Sequence, residues 1–124
     1  MRTYTRVRVS GATYFFTVNL AKRQDNDLLT KHIDLLRDAI RLTMKAHPFV
    51  IEAMVVLPDH LHCLWRLPQD DNDFPLRWRL IKSGFSRSLP SEERISASRR
   101  KKGERGIWQR RYWEHVIRDR KISS

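Results

Sequence analysis

An α+β sandwich, a four-stranded antiparallel sheet with two helices on one face, is the fold class this sequence predicts. Three observations carry it. Four segments have strand character and two others carry apolar residues at helical spacing, in the order strand–helix–strand–strand–helix–strand. A Pro58-Asp59 turn separates two adjacent apolar runs, which predicts an antiparallel hairpin. The 124 residues, 40% of them hydrophobic, suit one domain with one core, spanning 1–124.

The first strand is Thr13–Asn19, β-branched and aromatic, entered after Gly11. Asp25 or Asn26 caps a helix whose stripe is Leu28, Leu29, His32, Leu35, Leu36, Ala39, Ile40 and Thr43, ending near His47-Pro48. His32 lies beside that stripe and reads as structural. Residues 49–57 form a second strand, and their near-continuous apolar run predicts a central place in the sheet. The third strand covers 60–67. The acidic loop Gln69-Asp70-Asp71-Asn72-Asp73 lacks the glycine and distal glutamate of an EF-hand. It reads instead as a solvated loop ending in an Asp73 cap, with Pro75 in the first turn of the next helix. That helix spans Phe74–Ser88, with Leu76, Leu80, Ile81 and Phe85 toward the core. Arg77, Arg79, Lys82 and Arg87 are left on the outside. Residues 90–106 are polar and charged and predict a flexible connection, including the run Arg99, Arg100, Lys101, Lys102. Residues 107–118 resume strand character. This element order is that of a ferredoxin-like sandwich.

Charge narrows the function. Lys and Arg number 25 against 14 Asp and Glu, a formal net charge of +11. A basic chain of this size predicts a polyanion partner, with nucleic acid first. Arg77, Arg79, Lys82, Arg87, Arg99, Arg100, Lys101 and Lys102 are the candidate phosphate contacts. No small-molecule substrate is expected. No apolar run reaches 18 residues and the basic start lacks an apolar signal region, so no membrane role is expected. The single cysteine, Cys63, forms no internal disulfide, which suits a cytoplasmic setting.

His60-Leu61-His62 carries the chemistry. Residues i and i+2 of a strand share a face, about 6.6 Å apart at Cα, and two imidazoles so placed can grip one metal ion. Leu61, Cys63, Trp65 and Leu67 form an apolar face, so the histidines point the other way. Cys63 belongs to the core rather than to the metal site. Glu114 is a candidate to approach the pair from a neighbouring strand. A metal on a basic domain suggests phosphodiester chemistry, because the ion offsets phosphate charge and polarises the P–O bond.

Three blocks carry a family resemblance. They are Phe15-Phe16-Thr17-Val18-Asn19, then Val55-Val56-Leu57-Pro58-Asp59-His60-Leu61-His62-Cys63-Leu64-Trp65-Arg66-Leu67-Pro68, then Ile107-Trp108-Gln109-Arg110-Arg111-Tyr112-Trp113-Glu114-His115-Val116-Ile117-Arg118. Over essentially the whole chain the sequence resembles the REP-associated tyrosine transposases, IS200/IS605-like transposases within the HUH single-strand endonucleases. The resemblance implies a ferredoxin-like catalytic domain that cleaves single-stranded DNA beside a hairpin. It also implies a divalent metal, Mg²⁺ or Mn²⁺, on His60 and His62. In the implied chemistry a tyrosine hydroxyl attacks the phosphate in line, giving a 5′-phosphotyrosine that keeps the bond energy for rejoining.

In that family the nucleophile tyrosine lies on a helix after the last strand. No tyrosine follows Tyr112 here, and Tyr4, Tyr14 and Tyr112 do not match the nucleophile position. The expectation is a C-terminally shortened chain, inactive alone. Two function classes follow: a cut-and-join enzyme using another tyrosine or a second chain, and a non-catalytic binder of DNA hairpins. An unrelated phosphodiesterase with a water nucleophile is a third, weaker reading.

Overall fold

The structure is a computed structural model, and it describes residues 8–93 and 106–117. Strand β1 (Thr13–Asn19) is followed by a single helical turn α1 (Leu28–Lys31) and helix α2 (Ile33–Ala46). Then come β2 (Val50–Val56), β3 (His60–Arg66), α3 (Phe74–Ser88) and β4 (Trp113–Ile117). The sheet order is β2-β3-β1-β4 with every pair antiparallel. The predicted α+β sandwich and its β2–β3 hairpin are therefore present. Leu57 N–H donates to the His60 carbonyl at 2.8 Å across the Pro58-Asp59 turn.

One face of the sheet packs on the helices. Tyr14, Phe16 and Val18 of β1 and Leu61, Cys63 and Trp65 of β3 are at most 1% exposed. They meet Leu36, Ala39 and Ile40 of α2 and Phe74, Trp78, Ile81 and Phe85 of α3. The middle of this layer is aromatic: Trp65 stacks on Trp78 with ring centroids 4.4 Å apart, and Phe16 meets Trp65 edge-on at 4.8 Å. Gly84 faces Ala39, where an added Cβ would lie 3.4 Å from the alanine methyl, so two small residues let α2 and α3 approach closely.

Several local expectations are corrected. The run in β2 predicts a central strand, but β2 is an edge. The β1–helix–β2 crossover leaves a gap that β3 fills, so sequence neighbours β1 and β2 are not sheet neighbours. Val50 and Val55 are 44% and 55% exposed. A bulge between Ile51 and Ala53 keeps Ile51, Met54 and Val56 on the helix side. The first helix is broken at His32, whose backbone (φ −114°, ψ 43°) leaves helical space. Its Nε2 pairs with Glu93, which Lys31 also holds, so His32 is structural as expected. The N-cap position is Asp27 rather than Asp25 or Asn26, and its side chain makes no capping bond; Asn26, one residue earlier, accepts from Leu28 N–H at 3.1 Å through Oδ1. In α3 the buried stripe is Phe74, Arg77, Trp78, Ile81 and Phe85, while Leu76 and Leu80 are only half-buried flanks. The fourth strand begins at Trp113 rather than 107, and Trp108 makes only an isolated bridge to Leu20. Residues 94–105 of the predicted flexible connection, and Arg118, lie outside the described residues. Among the described residues no helix is long and apolar enough to cross a membrane.

Candidate functional site

The second face of the sheet carries no helix among the described residues, and His60 and His62 stand on it. Strand alternation puts them opposite the buried Leu61 and Cys63. Their ring centroids are 5.0 Å apart. Each ring is held through Nδ1. Asp59 Oδ1 lies 2.9 Å from His60 Nδ1, and the Thr17 hydroxyl lies 2.9 Å from His62 Nδ1. Register explains the second contact, since Thr17 is the β1 partner of His62.

A carboxylate at Nδ1 keeps the proton on that nitrogen and leaves the Nε2 lone pair for a ligand. Arg23 completes the arrangement: its Nε donates to Asp59 Oδ2 at 2.5 Å. Arg23 Nη2 also lies 3.4 Å from His60 Nδ1, a contact that would need the opposite tautomer. The shorter carboxylate bond decides, and Nδ1 is the protonated nitrogen. Burial pushes the Asp59 pKa up, but the hydrogen bonds from Arg23 and His60 outweigh it and hold the carboxyl below its ordinary range. Asp59 is thus an anion at neutral pH. The Thr17 hydroxyl accepts from His62 whenever Nδ1 carries the proton, so it tolerates the tautomer that a ligand at Nε2 selects.

Sequence spacing places Asp59 in a turn and Thr17 in a strand and does not single out Arg23, so none of the three is predicted as a site residue. One signal was legible: Asp59 directly precedes the first histidine. Thr17 becomes a partner only through the β1–β3 register.

The donor set fits a divalent cation incompletely. Two neutral imidazoles supply borderline nitrogen ligands. Among the described residues no group of three or more His, Cys, Asp or Glu side chains converges. Glu114 does not share the histidine face: its β1 partner is Phe16, on the helix side, and β4 is not adjacent to β3. Cys63 is also on the helix side, as expected; burial pushes its thiol up to about 12, against the lowering effect of the Trp65 indole N–H that donates to Sγ.

The basic candidates divide. Arg77 is not a surface residue; it is 2% exposed. Its guanidinium donates to both Asp71 carboxylate oxygens at 3.1 and 2.9 Å and to the carbonyls of His47, Pro48 and Asp73. It therefore ties α3 to the acidic loop and to the end of α2, and is corrected to a structural residue. The reason is phase: position 77 falls on the stripe of Phe74, Trp78 and Ile81. Arg79 and Lys82, with Arg110, line a groove of about 530 Å³ between α3 and the segment before β4. Lys82 Nζ donates to the Gln109 carbonyl at 3.0 Å and sits 5.5 Å from the Tyr112 ring centre, so it also anchors that segment. Arg87 is exposed in the last turn of α3. Arg99, Arg100, Lys101 and Lys102 lie outside the described residues.

Neither described tyrosine is on the histidine face. Tyr14 is fully buried on the helix side, its hydroxyl donating to the Val9 carbonyl at 2.7 Å, and burial raises its pKa. Tyr112 packs its ring toward Phe16, Phe74 and Trp78 in the core layer. Tyr4 lies outside the described residues.

Relatives match over nearly all of this chain. It is 44% identical over 121 residues to the REP-associated tyrosine transposase of Escherichia coli, covering 98% of this chain and 65% of that protein. It is 43% identical over 122 residues to a Haemophilus influenzae protein assigned to the same family, covering 98% of this chain and 69% of that one. The chain thus spans about two thirds of the length of these relatives. A REP-associated tyrosine transposase solved bound to a REP hairpin superposes with a TM-score of 0.81 at 43% identity, over 99% of this chain and 66% of that one. A transposase-like protein from Deinococcus radiodurans, 17% identical, shares the fold with a TM-score of 0.65, over 98% of this chain and 91% of that one. No family model matches. With the same fold and more than two fifths of its residues in common with these relatives, the chain belongs to the REP-associated tyrosine transposases.

Proposed function

We propose that this chain is a hairpin-binding domain of a DNA transposase whose His60/His62 pair addresses the phosphate to be cut. The observation that carries the reading is the histidine pair itself. Two imidazoles lie side by side on the open sheet face, and their Nδ1 atoms are engaged by Asp59 and Thr17. A divalent cation, Mg²⁺ or Mn²⁺, would be held at the two Nε2 atoms. When bound it supplies charge neutralisation and polarisation of the phosphate. The protein's own work is positional. Asp59 and Arg23 fix the His60 tautomer, Thr17 holds the His62 ring in either tautomer, and the basic surface holds the DNA backbone. The partner is DNA with a hairpin and an adjoining single strand.

Salt dependence tests the DNA reading. Affinity for a hairpin with a single-stranded tail should fall steeply as salt rises, and each phosphate contact removed should lower the log–log slope by roughly 0.7–0.9. Replacing Arg79 and Arg87 with alanine should flatten that slope, and neutralising Arg99, Arg100, Lys101 and Lys102 together should flatten it further. Binding that ignores salt, or is absent at low salt, rejects the reading.

A second reading has its own observation. Tyr14 and Tyr112 both lie on the helix side of the sheet, and the histidines on the other. In-line attack needs the tyrosine oxygen about 3–3.5 Å from phosphorus, so neither can serve a phosphate at the histidine pair. With no described tyrosine on the histidine face, this stretch of chain then acts as a hairpin binder rather than a nuclease. Incubated with labelled tailed hairpin and Mn²⁺, it is expected to give no shifted band on a denaturing gel. A covalent band that disappears in Tyr112→Phe would overturn this and make the chain a complete enzyme.

A further inference from the structure

The open face of the sheet is aromatic as well as histidine-bearing. Phe15 stacks on His62, with centroids 5.7 Å apart and planes 14° from parallel. Trp113 meets Phe15 edge-on at 5.9 Å. His115 stacks on Trp113 at 5.7 Å and 10°. Together with His60, these rings form one continuous line across β3, β1 and β4. The line does not seal a core: Trp113 is 55% exposed, and His115 is exposed too. A large ring left half in water, on the same face as a candidate phosphate site, is a surface for a flat ligand.

We propose that Phe15, Trp113 and His115 form a stacking platform for unpaired nucleotides that flank the phosphate at His60 and His62. The inference rests on the DNA reading above and names the residues that would hold its single-stranded part. Every base has a π-face, so stacking accepts any sequence, and it needs only exposed rings beside a cationic backbone path. Both are present. The chain carries a formal net charge of +11, Arg111 is exposed two residues before Trp113, and Arg23 lies beside His60. Duplex DNA keeps its bases stacked on one another, so the platform selects the tail over the stem. Trp113 and His115 are positioning residues: they place the strand, and the histidine pair addresses its phosphate.

The test compares two probes, a blunt hairpin and the same hairpin with a short single-stranded extension carrying 2-aminopurine. Binding is followed by anisotropy and 2-aminopurine fluorescence. The extension should tighten binding to the wild-type chain roughly ten-fold per stacked base and change the probe's fluorescence. Trp113→Leu should remove most of that gain, Trp113→Phe should keep most of it, and neither should alter blunt-hairpin affinity. Trp113 is largely exposed, so both variants should melt like the wild type. An extension that adds nothing, or a gain untouched by Trp113→Leu, overturns the platform even while the blunt hairpin binds. If the blunt hairpin does not bind at low salt, the hairpin reading fails instead. The free single strand then decides the platform by the same Trp113 comparison.

Discussion

Arg77→Ala should cost about 3–4 kcal/mol and lower Tm by on the order of 10 °C or more. The guanidinium is 2% exposed and satisfies Asp71 and three backbone carbonyls at once. Removing it takes the guanidinium donors from those carbonyls and leaves the Asp71 carboxylate with only the Asp73 N–H. Against a total stability of roughly 5–15 kcal/mol, that loss is a large share. Arg79→Ala is the control. It lies on the same helix but is exposed, and should stay within about 0.5 kcal/mol of wild type. Thermal melts of the two variants decide the matter, and equal melting would return Arg77 to the surface.

The same pair predicts an acid limit. The hydrogen bond from Arg77 holds the Asp71 pKa below its ordinary value, against an upward push from burial. A carboxylate with a depressed folded pKa contributes stability above its unfolded pKa of about 3.9 and loses it as pH falls through the folded value. Wild type should therefore lose stability below about pH 4. Asp71→Asn should already be weakened at neutral pH and lose less on acidification.

Metal binding should disappear in the His60→Ala/His62→Ala double variant. Calorimetric titration of wild type with Mn²⁺ should show weak binding, because two imidazoles without a third convergent side chain among the described residues form an incomplete site. Asp59→Asn should weaken that binding by roughly 10- to 100-fold while keeping both ligands, since it removes the carboxylate that fixes the His60 tautomer. Loss from the Asp59 variant without unfolding separates orientation from ligation. Undiminished heat in the double variant would remove the site from this face.

The elements themselves were legible because each is written locally. The Pro58-Asp59 turn, the period-two run through Leu61, Cys63 and Trp65, and the Asp73 cap bonded to Leu76 N–H all depend on residues a few positions apart. The facing of His60 and His62 followed from that alternation alone, and the basic balance pointed to a polyanion.

Packing and register decided the rest. Whether β2 is central or edge depends on which strand fills the gap in the β1–helix–β2 crossover, and a near-continuous apolar run carries no record of that. Arg77 has the composition of a surface residue and the phase of a buried one. Only Asp71 and the carbonyls that α2 brings to it show that the charge is satisfied inside. Thr17 reaches His62, and Phe15 links it to Trp113, because antiparallel pairing sets residues 45 to 100 positions apart in one row. Side-chain periodicity determines which face a residue joins, and three-dimensional pairing alone determines which neighbours it meets there.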